Sequence, residues 1–443
     1  MASAAEQLAA NLNFSAFAKA EELKKRIWFT LGALLVYRLG TYIPLPGINI
    51  EALQQAFEQQ SQGILGMVNM FSGGAIGRMA ILALGIMPYI SASIIIQLMT
   101  AVIPTLEQLK KEGEQGRKVI NQYTRYLTVI LAAVQSYGIA VGLEGSSSPI
   151  VADPGWFFRF TAVITLTGGT VFLMWLGEQI TARGIGNGIS LIIFSGIVAG
   201  LPSAIAGTLE LGRQGALSTL LILAIIVLAI VVIGFIVFIE RAQRRLLIQY
   251  PKRQMGNRMF QGDSSHLPLK LNTAGVIPPI FASSLLLLPI TMANFSAGGP
   301  SWLTTITALL GRGQPAYLLL YAGLIAFFAF FYTAIVFNPT DTADQLKKHG
   351  GFIPGIRPGQ RTAEYIDFVL TRITVAGALY LVIVCLMPEL LISQAGLPFY
   401  FGGTSLLIVV SVTMDTVAQI QGHLLAHQYE GLVKKTKLRG ARR

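Results

Sequence analysis

Charged residues are scarce in this chain. They make up 12% of its 443 residues, whereas apolar residues make up 53%. A soluble domain carries about 25% charged residues. The composition therefore excludes an ordinary soluble protein and indicates one that is surrounded largely by lipid.

The chain also lacks the marks of covalent processing. Its single cysteine, Cys385, excludes an internal disulfide framework and lies in an apolar run, where a thiol usually packs as a small core side chain. The N-terminus is polar and has no apolar stretch ahead of a cleavage site. We therefore expect no signal peptide, and we expect the first membrane span to act as an uncleaved targeting signal.

The apolar stretches contain almost no ionisable side chains. A solute pump usually needs such groups near the bilayer centre, but here the charged residues fall near the ends of the stretches. The sequence contains no Gly-x-x-x-x-Gly-Lys phosphate loop, no His-Glu-x-x-His and no Gly-x-Ser-x-Gly. The four histidines all lie outside the apolar stretches and do not suggest a metal site. We predict no enzyme activity, no metal and no cofactor, which leaves a pore or passive conduit.

Ten stretches are long and apolar enough to be candidate membrane spans, each of which needs about 20 residues. They are 27–43, 80–103, 122–143, 156–177, 187–206, 217–239, 272–293, 316–337, 370–392 and 403–422. All but five of the 33 Lys and Arg residues fall on one side of this arrangement. By the positive-inside rule, both termini are cytoplasmic. The exceptions are Arg38, Arg78, Arg159, Arg213 and Arg312.

Two of these spans share a repeated string. Residues 85–93 read GIMPYISAS and residues 275–283 read GVIPPIFAS, which gives the pattern G-h-h-P-x-I-x-A-S with h apolar. Five spans in each half make the two copies antiparallel, as in an inverted repeat. We expect broken helices here, with Pro88 and Pro278 as hinge points, because each proline removes a helical hydrogen bond.

The resulting organisation is an all-α polytopic membrane protein with two inverted five-helix halves. The predicted parts are a cytoplasmic N-terminus (1–26), an N-terminal half (27–206), a C-terminal half (207–422) with cytoplasmic loops at about 240–271 and 338–369, and a basic cytoplasmic tail (423–443).

Aliphatic side chains and glycines surround the first copy of the repeat. Ile86 and Ile90 are four residues apart, and Ile280 takes the motif position of Ile90. Aliphatic side chains at a constriction exclude water and ions by dewetting, although the same residues could simply pack the helix bundle. Residues 63–78, GILGMVNMFSGGAIGR, are too short to span the membrane. They fit either a small re-entrant helix with glycine hinges or an external loop with one amphipathic turn.

The two long cytoplasmic loops are basic. Such charge sets topology and contacts anionic lipid in any membrane protein, but topology alone does not need excursions of this length. Arg357 stands in GFIPGIRPG, where prolines and glycines favour an exposed turn that presents one guanidinium. We interpret both loops as a docking surface for a large partner.

Several long strings resemble the SecY family, the central subunits of the bacterial protein-conducting channel. They are FSGGAIGRMAILALGIMPYISASIIIQL (71–98), QYTRY (122–126), FLMWLGEQITARGIGNGIS (172–190), HLPLKLN (266–272), FFYTAIVFNP (330–339), GIRPG (355–359) and PFYFGGTSLLIVV (398–410). The resemblance runs from about Glu22 into the tail. It implies an hourglass channel with a plug and a lateral gate.

The resemblance also assigns roles to residues. The pore ring falls on Ile86, Ile90, Ile193, Ile280 and Ile408. The plug falls on about 63–77, with Ile64, Leu65, Met67, Val68, Met70 and Phe71. The lateral gate lies between spans 2 and 3 on one side and spans 7 and 8 on the other. Its residues are Ser91, Gln135, Asn272 and Leu288, and relatives have an aromatic residue at the position of Leu288. The residues that would contact a motor or ribosome are Arg244, Arg245, Lys252 and Arg357.

The partners that the resemblance implies are the small membrane subunits SecE and SecG, the SecA ATPase, the ribosome, signal peptides and nascent chains, the accessory proteins SecD, SecF and YidC, and anionic lipids. The implied location is the bacterial inner membrane. Two other classes were weighed: a secondary transporter, which would need a midplane ion or substrate site, and an intramembrane enzyme, which would need a catalytic pair. Neither feature is visible in the sequence.

Overall fold

The structure is a computed structural model that describes residues 20–60, 69–145, 149–215, 218–251, 253–255, 258–260, 264–294, 314–395 and 403–440. Some predicted site residues lie outside this part: Ile64, Leu65, Met67, Val68 and Lys252. The backbone of Leu288 is described, but its side chain is not. The roles predicted for these residues stay predictions.

Helices dominate the described part. In chain order they are α1 (Glu21–Gly40), α2 (Ile50–Gln60), α3 (Met87–Val102), α4 (Pro104–Lys111), α5 (Glu114–Glu144), α6 (Trp156–Arg183), α7 (Gly188–Arg213), α8 (Thr219–Arg241), α9 (Ile277–Asn294), α10 (Pro315–Val336), α11 (Pro339–Lys348), α12 (Gln360–Ala395) and α13 (Gly403–Gly440). Four strands lie between α8 and α9: β1 (Gln243–Gln249), β2 (Arg253–Met255), β3 (Arg258–Phe260) and β4 (Ser264–Lys270).

Seven helical segments of the described residues are long and apolar enough to cross a membrane. They are Glu114–Glu144, Trp156–Arg183, Gly188–Glu210, Leu220–Arg241, Pro315–Lys348, Gln360–Pro388 and Gly403–Leu425. The bent pair α3 and α4, which meet at 99°, passes the same test only when taken together. Helix α1 has Lys24, Lys25, Arg26 and Arg38 among its 20 residues, and α9 has only a short apolar section, Ile277–Leu286. The protein is therefore a multi-pass membrane protein, and its described residues contain seven clear spans, whereas ten were expected over the whole chain.

The two copies of the repeat begin helices and do not break them. In the first copy, Gly85 has a φ of 57°, Ile86 is the N-cap of α3, and Pro88 lies in the first turn. In the second copy, Gly275 has a φ of 64°, and Pro278 follows the first residue of α9. The first turn of a helix has no intrahelical N–H bond to lose. The prediction that these prolines remove a hydrogen bond within the helix is therefore wrong, whereas their role as hinge points stays a prediction.

The segment between α8 and α9 is a β-hairpin, which the all-α prediction did not include. Strands β1 and β4 pair antiparallel from Gln243↔Lys270 to Gln249↔Ser264, and β2 pairs with β3. Leu246 and Ile248 of β1 are buried, which places a period-2 apolar face on this strand. The hairpin explains why the described part of this long loop is extended and paired.

The chain clusters into two compact units. The first takes its residues from Met1–Ala206, Leu288–Thr304 and Val412–Arg443, and the second from Gly207–Leu287 and Thr305–Ser411. In the first unit, α3 packs against α5 and α5 packs against α6, around a core that includes Leu45, Ala83, Phe158 and Leu166. Alanine and glycine on these helices allow the close approach typical of membrane helix pairs.

The loop between α6 and α7 is tied to both ends of the first unit. The backbone N–H of Ile185 donates to Thr30 Oγ1 of α1 at 3.0 Å, and that of Gly186 donates to Gln419 Oε1 of α13 at 2.8 Å. Ile185 also packs in an apolar cluster with Leu23 of α1, beside Ile420 of α13. These contacts fix the starting point of α7, which contains Ile193.

Candidate functional site

The predicted ring residues of the first unit are all buried. Ile86 and Ile90 are each 5% exposed and Ile193 is 4% exposed. The backbone N–H of Ile90 donates to the carbonyl of Ile86 at 3.1 Å, so the two lie one turn apart at the start of α3. Ile86 is the N-cap and lies just outside the helix, so the expectation that both side chains face the same way stays a prediction.

The chain ahead of Ile86 folds into a compact series of turns from residue 69. Asn69 organises it: its carbonyl accepts from the N–H of Gly74 at 2.7 Å, and its Oδ1 accepts from the N–H of Gly77 at 2.8 Å. Of the predicted plug residues in this part, Met70 is half-buried and Phe71 is buried. We call residues 69–86 the anchored segment.

Backbone bonds attach the anchored segment to the chain that follows α1. The N–H of Leu45 donates to the carbonyl of Met79, and the N–H of Ile81 donates to that of Ile43, each at 2.9 Å. Pro44 and Ala80 form an isolated antiparallel bridge at this point. The apolar run 80–103 therefore begins as paired, turn-rich backbone and becomes helical only at Met87.

The turn at Gly73 sits against the backbone next to two ring residues. A Cβ on Gly196, three residues after Ile193, would lie 2.8 Å from the carbonyl oxygen of Phe71 and 3.1 Å from the N of Gly73. A Cβ on Gly85, immediately before Ile86, would lie 3.6 Å from the Cβ of Ser72. Glycine at 196 permits this close backbone approach.

Two arginines meet at the carbonyl of Gly73. Arg38 Nη1 donates to it at 2.6 Å and Arg78 Nη2 donates to it at 3.1 Å. Arg38 Nη2 also donates to Tyr42 Oη at 2.9 Å, and both guanidinium groups lie over the Tyr42 ring, at 4.9 and 4.1 Å from its centroid. Sequence reasoning noted both arginines as exceptions to the charge pattern but did not bring them together.

In the second unit, the predicted ring residues have well-defined neighbours. Ile408 is 1% exposed and Ile280 is half-buried. The carbonyl of Ile280 accepts from the hydroxyl groups of Ser283 at 2.9 Å and Ser284 at 2.8 Å. Near the start of α13, Thr404 and Tyr321 share a buried hydrogen bond of 3.0 Å between their hydroxyl oxygens.

The predicted gate residues occupy different environments. Ser91 is buried on α3 and Gln135 is half-buried on α5, two helices that pack together. Asn272 is buried in the second unit, where its Nδ2 donates to Glu240 Oε1 at 2.7 Å and to the carbonyl of Gly275 at 3.1 Å. Asn272 thus ties the end of α8 to the glycine that precedes α9.

The basic surface of the second unit is built on the β-hairpin. Arg244 and Arg245 are exposed, and because they are consecutive on β1 their side chains leave opposite faces of the hairpin. Arg244 lies opposite Leu269, on the face that also contains the buried Leu246, whereas Arg245 lies opposite Pro268. The two arginines therefore cannot contact one flat partner surface in the same way.

The second predicted loop joins the first. Gln249 and Phe352 exchange backbone hydrogen bonds of 2.9 and 3.0 Å. Leu246 and Leu269 of the hairpin share one apolar cluster with Ile353, and with residues of α12 that include Ile366. Both basic loops and the start of α12 thus form one packed element, which we call the loop module.

Arg357 projects from the surface of the loop module. Its side chain is exposed between Pro354 and Pro358. The N–H of Ile356 donates to the carbonyl of Ile353 at 3.1 Å, and Thr362 Oγ1 donates to the carbonyl of Arg357 at 2.9 Å. The backbone of this turn is therefore held from both sides, as the sequence predicted for an exposed, rigid turn.

Fold and site together define a helical, multi-pass membrane protein. Two of its helices start at a Gly-Pro string that bears an isoleucine, and a basic loop module packs on the start of α12. The family model described as SecY matches residues 80–417. The chain is 58% identical over 423 residues to the protein translocase subunit SecY of Escherichia coli strain K12, which covers 95% of this chain and 96% of that protein. The chain therefore belongs to the SecY family, and the resemblance seen in the sequence is confirmed.

Solved structures agree with this fold. One is a SecY structure, described as showing that the plug domain stabilises the closed state of the translocation channel and maintains a membrane seal. It has a TM-score of 0.65 at 18% identity, and the match covers 90% of this chain and 92% of that one. Sec61 in the canine ribosome-channel complex from the endoplasmic reticulum has a TM-score of 0.62 at 17% identity, with the same coverage. The chain is a channel subunit and not an enzyme.

Proposed function

We propose that the chain is the pore-forming subunit of a protein-conducting channel that passes unfolded secretory polypeptides across the membrane and releases apolar segments sideways into the bilayer. Family membership supports the class of activity. The observation that carries the mechanism is the pair of repeated helix starts, which place Ile90 and Ile280 at the same motif position.

The seal in this proposal is a ring made by Ile86, Ile90, Ile193, Ile280 and Ile408. Each member is neutral and branched, so it offers a passing polypeptide no charge and no hydrogen bond. A narrow apolar constriction excludes ions by dewetting. Four of the five are buried and Ile280 is half-buried, which supports the assignment, and the family resemblance supplies the idea that the five belong to one ring.

The proposed architecture has ten spans in two halves of opposite orientation, an hourglass pore, a plug at about 63–77 and a lateral gate that includes Ser91, Gln135, Asn272 and Leu288. The inverted charge pattern supports both termini on the cytoplasmic side of the bacterial inner membrane. An apolar cargo segment would favour the open gate because it binds lipid better than the aqueous pore, which is the differential affinity that a switch requires.

The proposed docking surface for the external motor, SecA, or for the ribosome is the loop module with Arg357. An exposed guanidinium on a fixed turn suits a phosphate or carboxylate partner, since arginine forms planar, bidentate pairs with both. Among the similar folds, canine Sec61 and the yeast Ssh1 complex both belong to complexes with the ribosome. SecE and SecG are the proposed small membrane subunits, and signal peptides and nascent chains are the proposed cargo.

The seal is tested by replacing ring isoleucines with glycine. We expect Ile90→Gly and Ile193→Gly to raise the ion conductance of the resting channel in proteoliposomes, because each opens a gap where an apolar side chain excluded water. The matched controls are Ile94→Gly and Ile197→Gly, one turn further along the same helices, because these isoleucines are just as buried.

The controls separate a lost seal from a damaged fold. Leak in the ring variants alone supports the assignment. Equal leak in ring and control variants, or no leak in either, would remove the ring from the proposal. Arg357→Glu should reduce translocation of a secretory precursor. The ring variants should not reduce it, because they leave the pore open to the polypeptide.

A further inference from the structure

Arg38 and Arg78 are unusual in both sequence and structure. By the charge pattern Arg78 lies on the non-cytoplasmic side, which is poor in basic residues, and Arg38 lies within the first predicted span. Within the described residues neither one takes part in the ion pairs, which are Lys111–Glu107, Arg125–Glu178, Arg159–Glu144 and Arg213–Glu210. Their guanidinium groups converge instead on one backbone carbonyl.

A carbonyl oxygen has two lone pairs and accepts two donors, and bonds from a charged donor are about twice as strong as neutral ones. The repulsion between the two cations is offset by the face of Tyr42, which attracts both through its ring quadrupole. The arrangement is therefore a stable clamp on Gly73 that joins the end of α1 to the anchored segment.

The clamp on Gly73 holds a turn that lies beside two of the proposed seal residues. Its turn lies against the backbone of Gly196, three residues from Ile193, and its neighbour Ser72 lies against Gly85, beside Ile86. Tyr37, 1% exposed, fills the remaining space, because a Cβ on Gly73 or Gly196 would meet its Oη at 3.1 or 3.2 Å. A displaced Gly73 turn would remove support from both isoleucines at once.

We propose that Arg38 and Arg78 are positioning residues for the resting seal, which they maintain by holding the Gly73 carbonyl and hence the turn that supports Ile86 and Ile193. This inference rests on the proposed function, since it takes those isoleucines to be part of the seal. It also accounts for two of the five basic residues that fall outside the cytoplasmic side.

The test uses Arg38→Gln, Arg78→Gln and the double variant, with Arg213→Gln as the matched control. Arg213 also belongs to the non-cytoplasmic group, but its partner is Glu210 at 3.8 Å. Removing a cation from that side does not oppose the positive-inside rule, so insertion should be normal.

The first readout is amide hydrogen exchange in residues 72–77. Losing one charge-assisted hydrogen bond should speed exchange at Gly74 and Gly77 by about tenfold or more. Arg38→Lys and Arg78→Lys keep the charge but not the planar fork, so their exchange should lie between wild type and Gln. If Arg38→Gln fails to fold, Tyr42→Phe removes only the Oη partner of Arg38 and should give a smaller increase.

The second readout is resting ion conductance, measured beside Ile90→Gly. We expect the double variant to leak and Arg213→Gln to behave as wild type. If Ile90→Gly leaks and the arginine variants do not, the clamp is wrong and the seal stands. If Ile90→Gly does not leak either, the seal fails and the clamp fails with it. Leak in Arg213→Gln equal to that of the double variant would show a general charge effect and overturn the proposal.

Discussion

Replacing Gly275 with alanine should destabilise the second unit through the backbone alone. Gly275 has a φ of 64°, which L-residues adopt only at a cost of about 1–2 kcal/mol. No atom lies within 4 Å of the position that its Cβ would take, so no steric clash adds to this cost. The substitution therefore isolates the conformation that starts α9.

The control is the same substitution in a helix. Gly323 lies inside α10, and its Cβ position is also open. There alanine should stabilise by about 1 kcal/mol, because glycine is a poor residue in a helix interior. In a unit of this size 1 kcal/mol shifts the melting temperature by about 2–4 °C. Gly275→Ala and Gly323→Ala should therefore differ by about 4–12 °C.

Cys385 supplies the assay. It is the single thiol of the chain and is 2% exposed, so a thiol-reactive dye reports loss of the packing around it during heating. Gly275→Asn should recover part of the loss, because asparagine tolerates the left-handed region better than alanine. Equal melting temperatures for Gly275→Ala and Gly323→Ala would show that the glycine is not required by the helix start.

Two more predictions follow from the second unit. Arg357→Glu should impair motor- or ribosome-coupled translocation while the protein still inserts. The control Lys348→Glu reverses an exposed charge of the same loop and should leave this coupling near wild type. Equal effects of the two variants would remove Arg357 as a specific contact. Tyr321→Phe should lower the melting temperature, followed by circular dichroism, by about 2–4 °C, because removal of a buried hydrogen bond costs about 1 kcal/mol. An unchanged value would show that the Tyr321 hydroxyl adds nothing to stability.

The sequence predicted the class, the family and an exposed Arg357 turn, but not how the repeat is built. A continuous apolar run from 80 to 103 reads as one helix because lipid-facing and protein-buried segments have the same composition. The structure uses its first residues as paired backbone, since Ile81 bonds to Ile43. Only the glycine with positive φ and the proline of the first turn mark the true start of the helix. In the sequence alone, such a proline is equally compatible with a hinge inside a longer helix.

Two other features leave little trace in the sequence. The strand Gln243–Gln249 has only two buried side chains, beside an exposed leucine and four polar residues, and a helix or a loop could also accommodate this pattern. The clamp on Gly73 uses a backbone carbonyl, and every residue has one, so no side-chain pattern could reveal it. Contacts to the backbone become visible only when distant segments are placed together.

The bridge between Gln249 and Phe352 has a mechanical consequence. A force applied by a partner at Arg357 enters a turn whose backbone is bonded to the hairpin and whose apolar side packs on Ile366 of α12. Such a connection is stiff, so a push or a twist is transmitted to the start of a long helix and is not absorbed by a slack loop. In the proposed function, the loop module would act as a rigid connection between a partner bound at Arg357 and the helix that begins at Gln360.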